Sequence, residues 1–112
     1  MGVMVIPLVE SKLDSWKQWG KELKADRAKE LKDLNKRYGL KRHAAWLTET
    51  PNGPAAVVLH EGPGADTFLE KLAASTNDFD VWFAGKVQEY HGIDLKQPPT
   101  GHAPELFLDS TD

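Results

Sequence analysis

The chain of 112 residues contains no cysteine, and this absence removes several kinds of chemistry at once. Disulfide frameworks, thiolate zinc sites, iron–sulfur clusters and cysteine nucleophiles all need a sulfur atom that the sequence does not supply. Glycine-rich phosphate loops and the Gly-x-Ser-x-Gly and His-Glu-x-x-His motifs are absent too. Kinase, lipase-type and zinc-protease activities therefore lose their support, and no metal or other cofactor is predicted.

A long apolar run is also missing. The longest, residues 3–9, contains Pro7 and is far shorter than the roughly 20 residues that a membrane-spanning helix needs. It lacks the basic start and the small-residue cleavage site of a signal peptide. We therefore expect a cytoplasmic protein with no membrane partner, folded as one domain over residues 1–112.

The net charge of −3 conceals two regions of opposite sign. Residues 11–42 hold eleven Lys or Arg against five Asp or Glu, and the rest of the chain is acidic. A basic segment can mark a nucleic-acid surface. Here acidic and basic residues are interleaved, as on the solvated face of a helix, and no nucleic-acid motif is present. The sequence therefore predicts no nucleic-acid partner.

Hydrophobic spacing predicts the element order β-α-β-β-α-β. Residues 3–9 read as a strand and residues 12–37 as one helix, with Gly20 as a weak point or a close-packing site. A short helix follows Thr67, and Asn77 or Asp78 caps a further helix over residues 78–92. Residues 105–109 form a last strand. This order predicts an α+β, ferredoxin-like fold, in which one face of a four-stranded antiparallel sheet carries the helices.

Residues 41–62 predict a β-hairpin, because Asn52-Gly53 stands between two apolar runs. A type I′ turn needs positive φ at both central residues, and Asn-Gly supplies it. This turn would place Ala45 opposite His60, so that His43 and His60 share a face as diagonal neighbours.

We interpret His60 and His43 as the candidate catalytic pair, one as general base and the other as orienting group. Leu47 and Val58 share their face and would supply an apolar wall to bind a ligand. Trp19, off the main helix stripe, and His102, in a proline-rich loop, complete the predicted ligand site. In the opposing interpretation His43 lies in water at a strand entrance and His60 is a hydrogen-bonded interface residue.

The predicted sheet is apolar on both faces, whereas a sheet with one wet face alternates apolar and polar residues. No helix is left over to cover the second face, so self-association of two sheets into a homodimer is the simplest cover. Trp46 is expected beneath the helices. In the first strand, one face carries Val3, Val5 and Val9 and the other Met4, Ile6 and Leu8.

This element order resembles the dimeric α+β barrel superfamily, in which two ferredoxin-like subunits pack sheet to sheet. Residues 56–62 and 78–92 are similar to an uncharacterised bacterial branch of it. The superfamily includes cofactor-free monooxygenases, haem-degrading enzymes and stress-responsive barrels. The resemblance implies a small dimeric protein that binds an apolar or aromatic molecule, with cofactor-free monooxygenase-like or proton-transfer chemistry. No catalytic residue carries over from the superfamily.

Two alternatives accompany this hypothesis, and the sequence leaves open whether the chain is an enzyme at all. The first is a non-enzymatic dimeric binding or structural module, in which dimer packing occupies the sheet and the histidines are incidental. The second is haem binding or degradation, which uses one of the four histidines.

Overall fold

The computed structural model of this chain describes residues 2–92, 95, 107–108 and 110. These residues form an α+β fold with an open antiparallel sheet of three strands and four α-helices. None of the described helices has the length and apolar character to cross a membrane. The strands are β1 (Gly2–Pro7), β2 (Arg42–Thr50) and β3 (Gly53–Glu61). The helices are α1 (Leu13–Lys24), α2 (Ala28–Arg37), α3 (Phe68–Ala74) and α4 (Asp78–His91), with 3-10 turns at Glu10–Lys12 and Ala65–Thr67.

The sheet has the order β1-β3-β2, and both of its strand pairs are antiparallel. The outer edge of β1 has no neighbouring strand among the described residues. The predicted last strand, residues 105–109, lies largely outside them. Phe107 and Leu108 are described, and both are exposed and outside regular secondary structure.

The prediction of one helix over residues 12–37 is wrong, because the chain bends between α1 and α2. The break is not at Gly20. The Arg27 amide donates to the Glu22 carbonyl at 3.0 Å, five residues back rather than four. The Arg27 guanidinium then lies 4.5 Å from the centre of the Trp82 ring. The bend lets each short helix bury its own apolar stripe, as shown by buried Trp19 in α1 and buried Leu34 in α2.

The hairpin forms, but its predicted turn and register are wrong. Thr50 pairs with Gly53, so Pro51 and Asn52 occupy the turn. Proline favours the first corner of a tight turn because its ring fixes φ near −65°. Gly53, with φ of 116°, opens β3. The Thr50 hydroxyl holds the turn by donating to the Gly53 carbonyl at 2.8 Å.

The pairing is thereby shifted by two residues from the prediction. Because side chains alternate with a period of two, a shift of two leaves every residue on its predicted face. It does change the partners, and His43 now lies directly opposite His60.

The helices cover one face of the sheet, and no described helix packs on the other, which we call the bare face. Ala56 and Val58 of β3 contact the helical layer in one hydrophobic core. On the opposite face, Val5 is 53% exposed and Trp46 is 47% exposed. The expectation that Trp46 lies beneath the helices is therefore wrong. The buried members of the core are Leu8, Trp19, Leu34, Leu40, Ala56, Ala65, Phe68, Leu72, Phe79, Phe83, Ala84 and Tyr90.

Two loops pack against each other at the end of the sheet that carries the histidines. The Gly64 amide donates to the Gly39 carbonyl at 3.1 Å, which ties the loop after β3 to the loop before β2. A Cβ atom at Gly64 would overlap the Tyr38 carbonyl, so only glycine permits this approach. The contact fixes Tyr38 where its hydroxyl reaches α4.

Candidate functional site

The two candidate histidines are in direct contact. His43 and His60 are paired across β2 and β3, and their ring centroids are 4.7 Å apart with the ring planes at 71°. The sequence predicts diagonal neighbours, and the shifted hairpin register explains the closer arrangement. The pair therefore forms one compact imidazole cluster.

Helices α3 and α4 close over this histidine pair. The Phe68 ring lies 4.8 Å from the ring of His60 and 5.6 Å from that of His43. The Phe83 ring lies 5.8 Å from that of His43. His60 is only 4% exposed and His43 is half-buried, so the interpretation that placed His43 in water is wrong.

One polar contact orients the pair. His43 Nδ1 lies 3.2 Å from Asn35 Oδ1 on α2. Because an amide oxygen only accepts hydrogen bonds, Nδ1 carries the proton and Nε2 keeps its lone pair. The ring of His60 has no hydrogen-bond partner among the residues that the structure describes. The predicted hydrogen bond of His60 at an interface is thus not seen among them.

Burial keeps both rings neutral. It lowers the pKa of His43 to about 4, with a further contribution from the neighbouring charge of His60. Burial alone lowers the pKa of His60 to about 4. Desolvation disfavours the imidazolium form, and no described carboxylate stands beside the rings to offset it. At neutral pH the pair is therefore uncharged and able to accept a proton.

The space beside the pair opens toward β1. Gly2 pairs with His60 across the sheet, so both positions share one face. A Cβ atom built at Gly2 would meet no atom of the described residues within 4 Å. Among these residues, the edge of the sheet next to His60 therefore has room for a further group.

The other predicted site residues are dispersed. Val58 is partly buried and packs against the core beside the pair. Leu47 is exposed, four residues along β2 from His43, so it does not reach the rings. Trp19 is buried, and its ring centroid lies 5.2 Å from that of Phe83. His102 lies outside the described residues.

A buried carboxylate on α4 was missed by the sequence analysis. Asp80 is fully buried and accepts two hydrogen bonds from Arg37, at 2.8 and 2.9 Å. The hydroxyls of Tyr38 and Ser75 each donate to Asp80 Oδ2 at 2.7 Å. The hydrogen bonds from Arg37, more than any other cause, lower the pKa of Asp80 to about 2.

This carboxylate anchors the helices and is not free to bind a ligand. Its four hydrogen bonds satisfy both oxygens and join α2 to the start of α4. A groove of about 410 Å³ lies beside Arg37, open to solvent and of mixed charge. It is lined by Lys29, Glu30, Asp33, Arg37, Asn77, Asp78 and Phe79.

Comparisons with known proteins add no assignment to this geometry. No family model matches the chain, and neither the curated proteins nor the solved structures contain a match. Within the described part of the chain, no group of three or more His, Asp or Glu side chains is placed to hold a metal ion.

Proposed function

We propose that this chain binds a small, largely apolar or aromatic molecule beside His60, in the cytoplasm and without a cofactor. The observation that carries this proposal is a buried pair of neutral imidazoles whose inner member has no described polar partner. An imidazole nitrogen with no partner among the described residues can accept a hydrogen bond from a ligand or donate one to it. Phe68 and Phe83 supply apolar walls around the rings, and the open space at Gly2 supplies the way in.

The chemistry that this arrangement favours is proton transfer. With its Nδ1 proton turned toward Asn35, His43 presents the lone pair of Nε2 as a base. A base with a pKa near 4 is weak in the empty site. An acidic ligand changes this, because the anion it leaves behind stabilises the adjacent imidazolium and raises the pKa. Cofactor-free monooxygenase-like chemistry would begin with the same deprotonation.

Ligand binding is tested by thermal unfolding with 1-naphthol as the probe. At roughly ten times its dissociation constant the probe is expected to raise the Tm by about 5 °C. Gly2→Leu fills the space beside His60 without replacing either imidazole, and we expect it to abolish the shift. Gly85→Leu is the matched control, since Gly85 is exposed on α4 and also has no atom near its Cβ position. A shift that survives Gly2→Leu, or no shift in the wild type, would contradict the proposal.

We also propose that the chain works as a homodimer formed by the bare face of the sheet, as in the ferredoxin-like dimeric α+β barrels. This face is apolar, with Val5 and Trp46 half exposed. Its charged residues are Arg42 and Glu61, which pair with each other in the register. A second copy therefore meets a neutral, self-complementary surface. A fourth strand paired with the outer edge of β1 would widen this surface.

The dimer is tested by replacing each of two equally exposed valines with lysine, one valine at a time. Val5 on the bare face is 53% exposed, and Val81 on α4 is 55% exposed. Val5→Lys is expected to weaken self-association at least about tenfold, because two-fold symmetry places the charge in the interface twice. Val81→Lys is expected to leave it unchanged. Sedimentation equilibrium measures both, and a monomeric wild type at high micromolar concentration would exclude the dimer.

One observation favours the non-enzymatic dimeric module as a second candidate. Phe68 packs on His60 at 4.8 Å, as a core side chain would. This candidate predicts that His60→Phe preserves folding and dimerisation and that no probe shifts the Tm. Haem binding stays a prediction, which a Soret band on haem titration would test.

A further inference from the structure

The outer edge of β2 lacks the features that usually protect the edge of a sheet. Among the described residues the strand order is β1-β3-β2, so no strand lies on the far side of β2. Proteins shield such edges with short strands, prolines or lysines, because an open edge pairs with another chain. β2 has nine residues without a proline or a lysine, and its two charged residues, Arg42 and Glu49, lie near its ends. The other outer strand, β1, has six residues and ends in Pro7.

Apolar side chains are exposed on both sides of this edge. Trp46, 47% exposed, lies on the bare face, whereas Leu47, 39% exposed, lies on the side that carries the helices. Ala45 is on the same side as Leu47 and is exposed too, so the helical layer does not reach over this part of β2. The sheet-to-sheet dimer would cover Trp46 and leave Leu47 uncovered. A strand added along the edge would cover both.

The sequence of β2 is suited to pair with a second copy of itself. Where two copies continue one sheet with their helices on the same side, facing residues share a side, so the two-fold axis passes through a residue. Because β2 runs from Arg42 to Thr50, only an axis at Trp46 pairs all nine residues. This register sets the two Trp46 side chains opposite each other and places Leu47 opposite Ala45 of the second copy. Facing aromatic side chains are among the favourable cross-strand pairs.

We propose that β2 pairs edge to edge with β2 of a second copy, antiparallel and centred on Trp46. The charges of the strand agree with this register, since Arg42 faces Thr50 and Glu49 faces His43, and like charges directly opposite would be destabilising. The contact is separate from the bare face, so copies joined sheet to sheet assemble further through their edges. It does not depend on a ligand beside the histidine pair.

Engineered cysteines test the register directly, because the chain has no cysteine of its own. A disulfide needs Cα atoms within about 7 Å of each other. In the proposed pairing Ala44 faces Thr48 of the second copy at about 4.5–5.5 Å, whereas equivalent residues at either position are four residues, about 13 Å, apart along the strands. Under mild oxidation we expect a mixture of Ala44→Cys and Thr48→Cys chains to form a cross-linked dimer, and each variant alone to form none. Sheets packed face to face are about 10 Å apart, too far for this bond.

A lysine on the edge strand should abolish the cross-link. Ala45→Lys places a charge at the middle of the edge, on the helix side, and leaves the bare face unchanged. Added to both cysteine variants, it is expected to reduce the cross-linked fraction at least about tenfold. Ala74→Lys, at the exposed end of α3, is the matched control and should leave the fraction unchanged.

The Val5→Lys background separates this contact from the sheet-to-sheet dimer. The mixed cross-link is expected to persist there, because the edge does not use the sheet-to-sheet contact. A mixture that forms no cross-link, or single variants that cross-link as much as the mixture, would overturn the edge pairing. Either result would leave the ligand site and the sheet-to-sheet dimer to stand or fall by their own tests.

Discussion

Replacing Asp80 with alanine is expected to lower the free energy of unfolding by about 2–4 kcal/mol, because it leaves buried hydrogen-bond donors without their acceptor. Asp80 is fully buried and receives hydrogen bonds from Arg37, Tyr38 and Ser75. Its loss leaves the Tyr38 and Ser75 hydroxyls without their acceptor, and Arg37, one-third exposed, keeps only Asp33 as a partner. Urea unfolding followed by circular dichroism measures the change.

Asp33 provides a matched control for this substitution. It also binds Arg37, through one hydrogen bond of 2.8 Å to Nε, but its side chain is 63% exposed. Exposed ion pairs contribute roughly 0–1 kcal/mol, so Asp33→Ala should cost less than about 1 kcal/mol. Asp80→Asn separates charge from shape, since it keeps the side-chain size and removes the negative charge. Equal losses for Asp33→Ala and Asp80→Ala would show that the buried network does not stabilise the fold.

Protonation of the Asp80 carboxylate is expected to lower the free energy of unfolding at low pH. The pKa of Asp80 is about 2 in the folded chain, below its ordinary value of 3.8. Because the folded-state pKa is depressed, the unfolded state binds the proton first as the pH falls. The stabilisation is complete above pH 4 and is lost as the pH falls from about 4 to about 2. Asp80→Asn should remove this part of the pH dependence.

The faces of the hairpin could be predicted from the sequence, whereas its register could not. Alternation alone decides which residues share a face, and it put His43, Val58 and His60 together correctly. The register depends on which two residues form the turn. Asn52-Gly53 carries the stronger general signal, but Pro51 fixes its own φ and moves the turn back by one residue.

The hydrogen-bond network around Asp80 could not be predicted from the sequence. Its partners Arg37 and Tyr38 precede Asp80 by 43 and 42 residues, and nothing in their spacing links them. They meet only because α2 ends where α4 begins, which is a property of tertiary packing. The bend between α1 and α2 has the same origin, since no glycine or proline marks it and the burial of two separate apolar stripes produces it.

The histidine pair makes the second large prediction, a loss of stability as the pH falls from about 6.5 to about 4. The folded-state pKa values of His43 and His60 are each lowered to about 4 from an ordinary 6.5. In this window the unfolded chain takes up protons that the folded chain excludes, so the free energy of unfolding falls with the pH. The loss amounts to about 2–3 kcal/mol for each ring, and it levels off below about pH 4.

Single replacements separate the two rings. His60→Phe removes one titrating group and keeps an aromatic side chain against Phe68, so it should flatten the pH dependence by roughly half. It also removes a neighbouring positive charge that contributes to the low pKa of His43, which should therefore rise. His91→Gln is the control. Burial lowers the pKa of His91 too, but His91 Nδ1 lies 3.0 Å from the Pro7 carbonyl, and that hydrogen bond opposes the shift.

Urea unfolding at a series of pH values measures the slope, and an NMR titration of the imidazole signals reports each folded-state pKa directly. His91→Gln should keep most of the wild-type slope, because the pKa of His91 is lowered less than those of His43 and His60. A wild-type chain whose stability stays constant from pH 7 to pH 4.5 would mean that the rings are already protonated or solvated in the fold. The two imidazoles would then be solvated or charged, and the binding proposal would lose the neutral, unpaired base on which it depends.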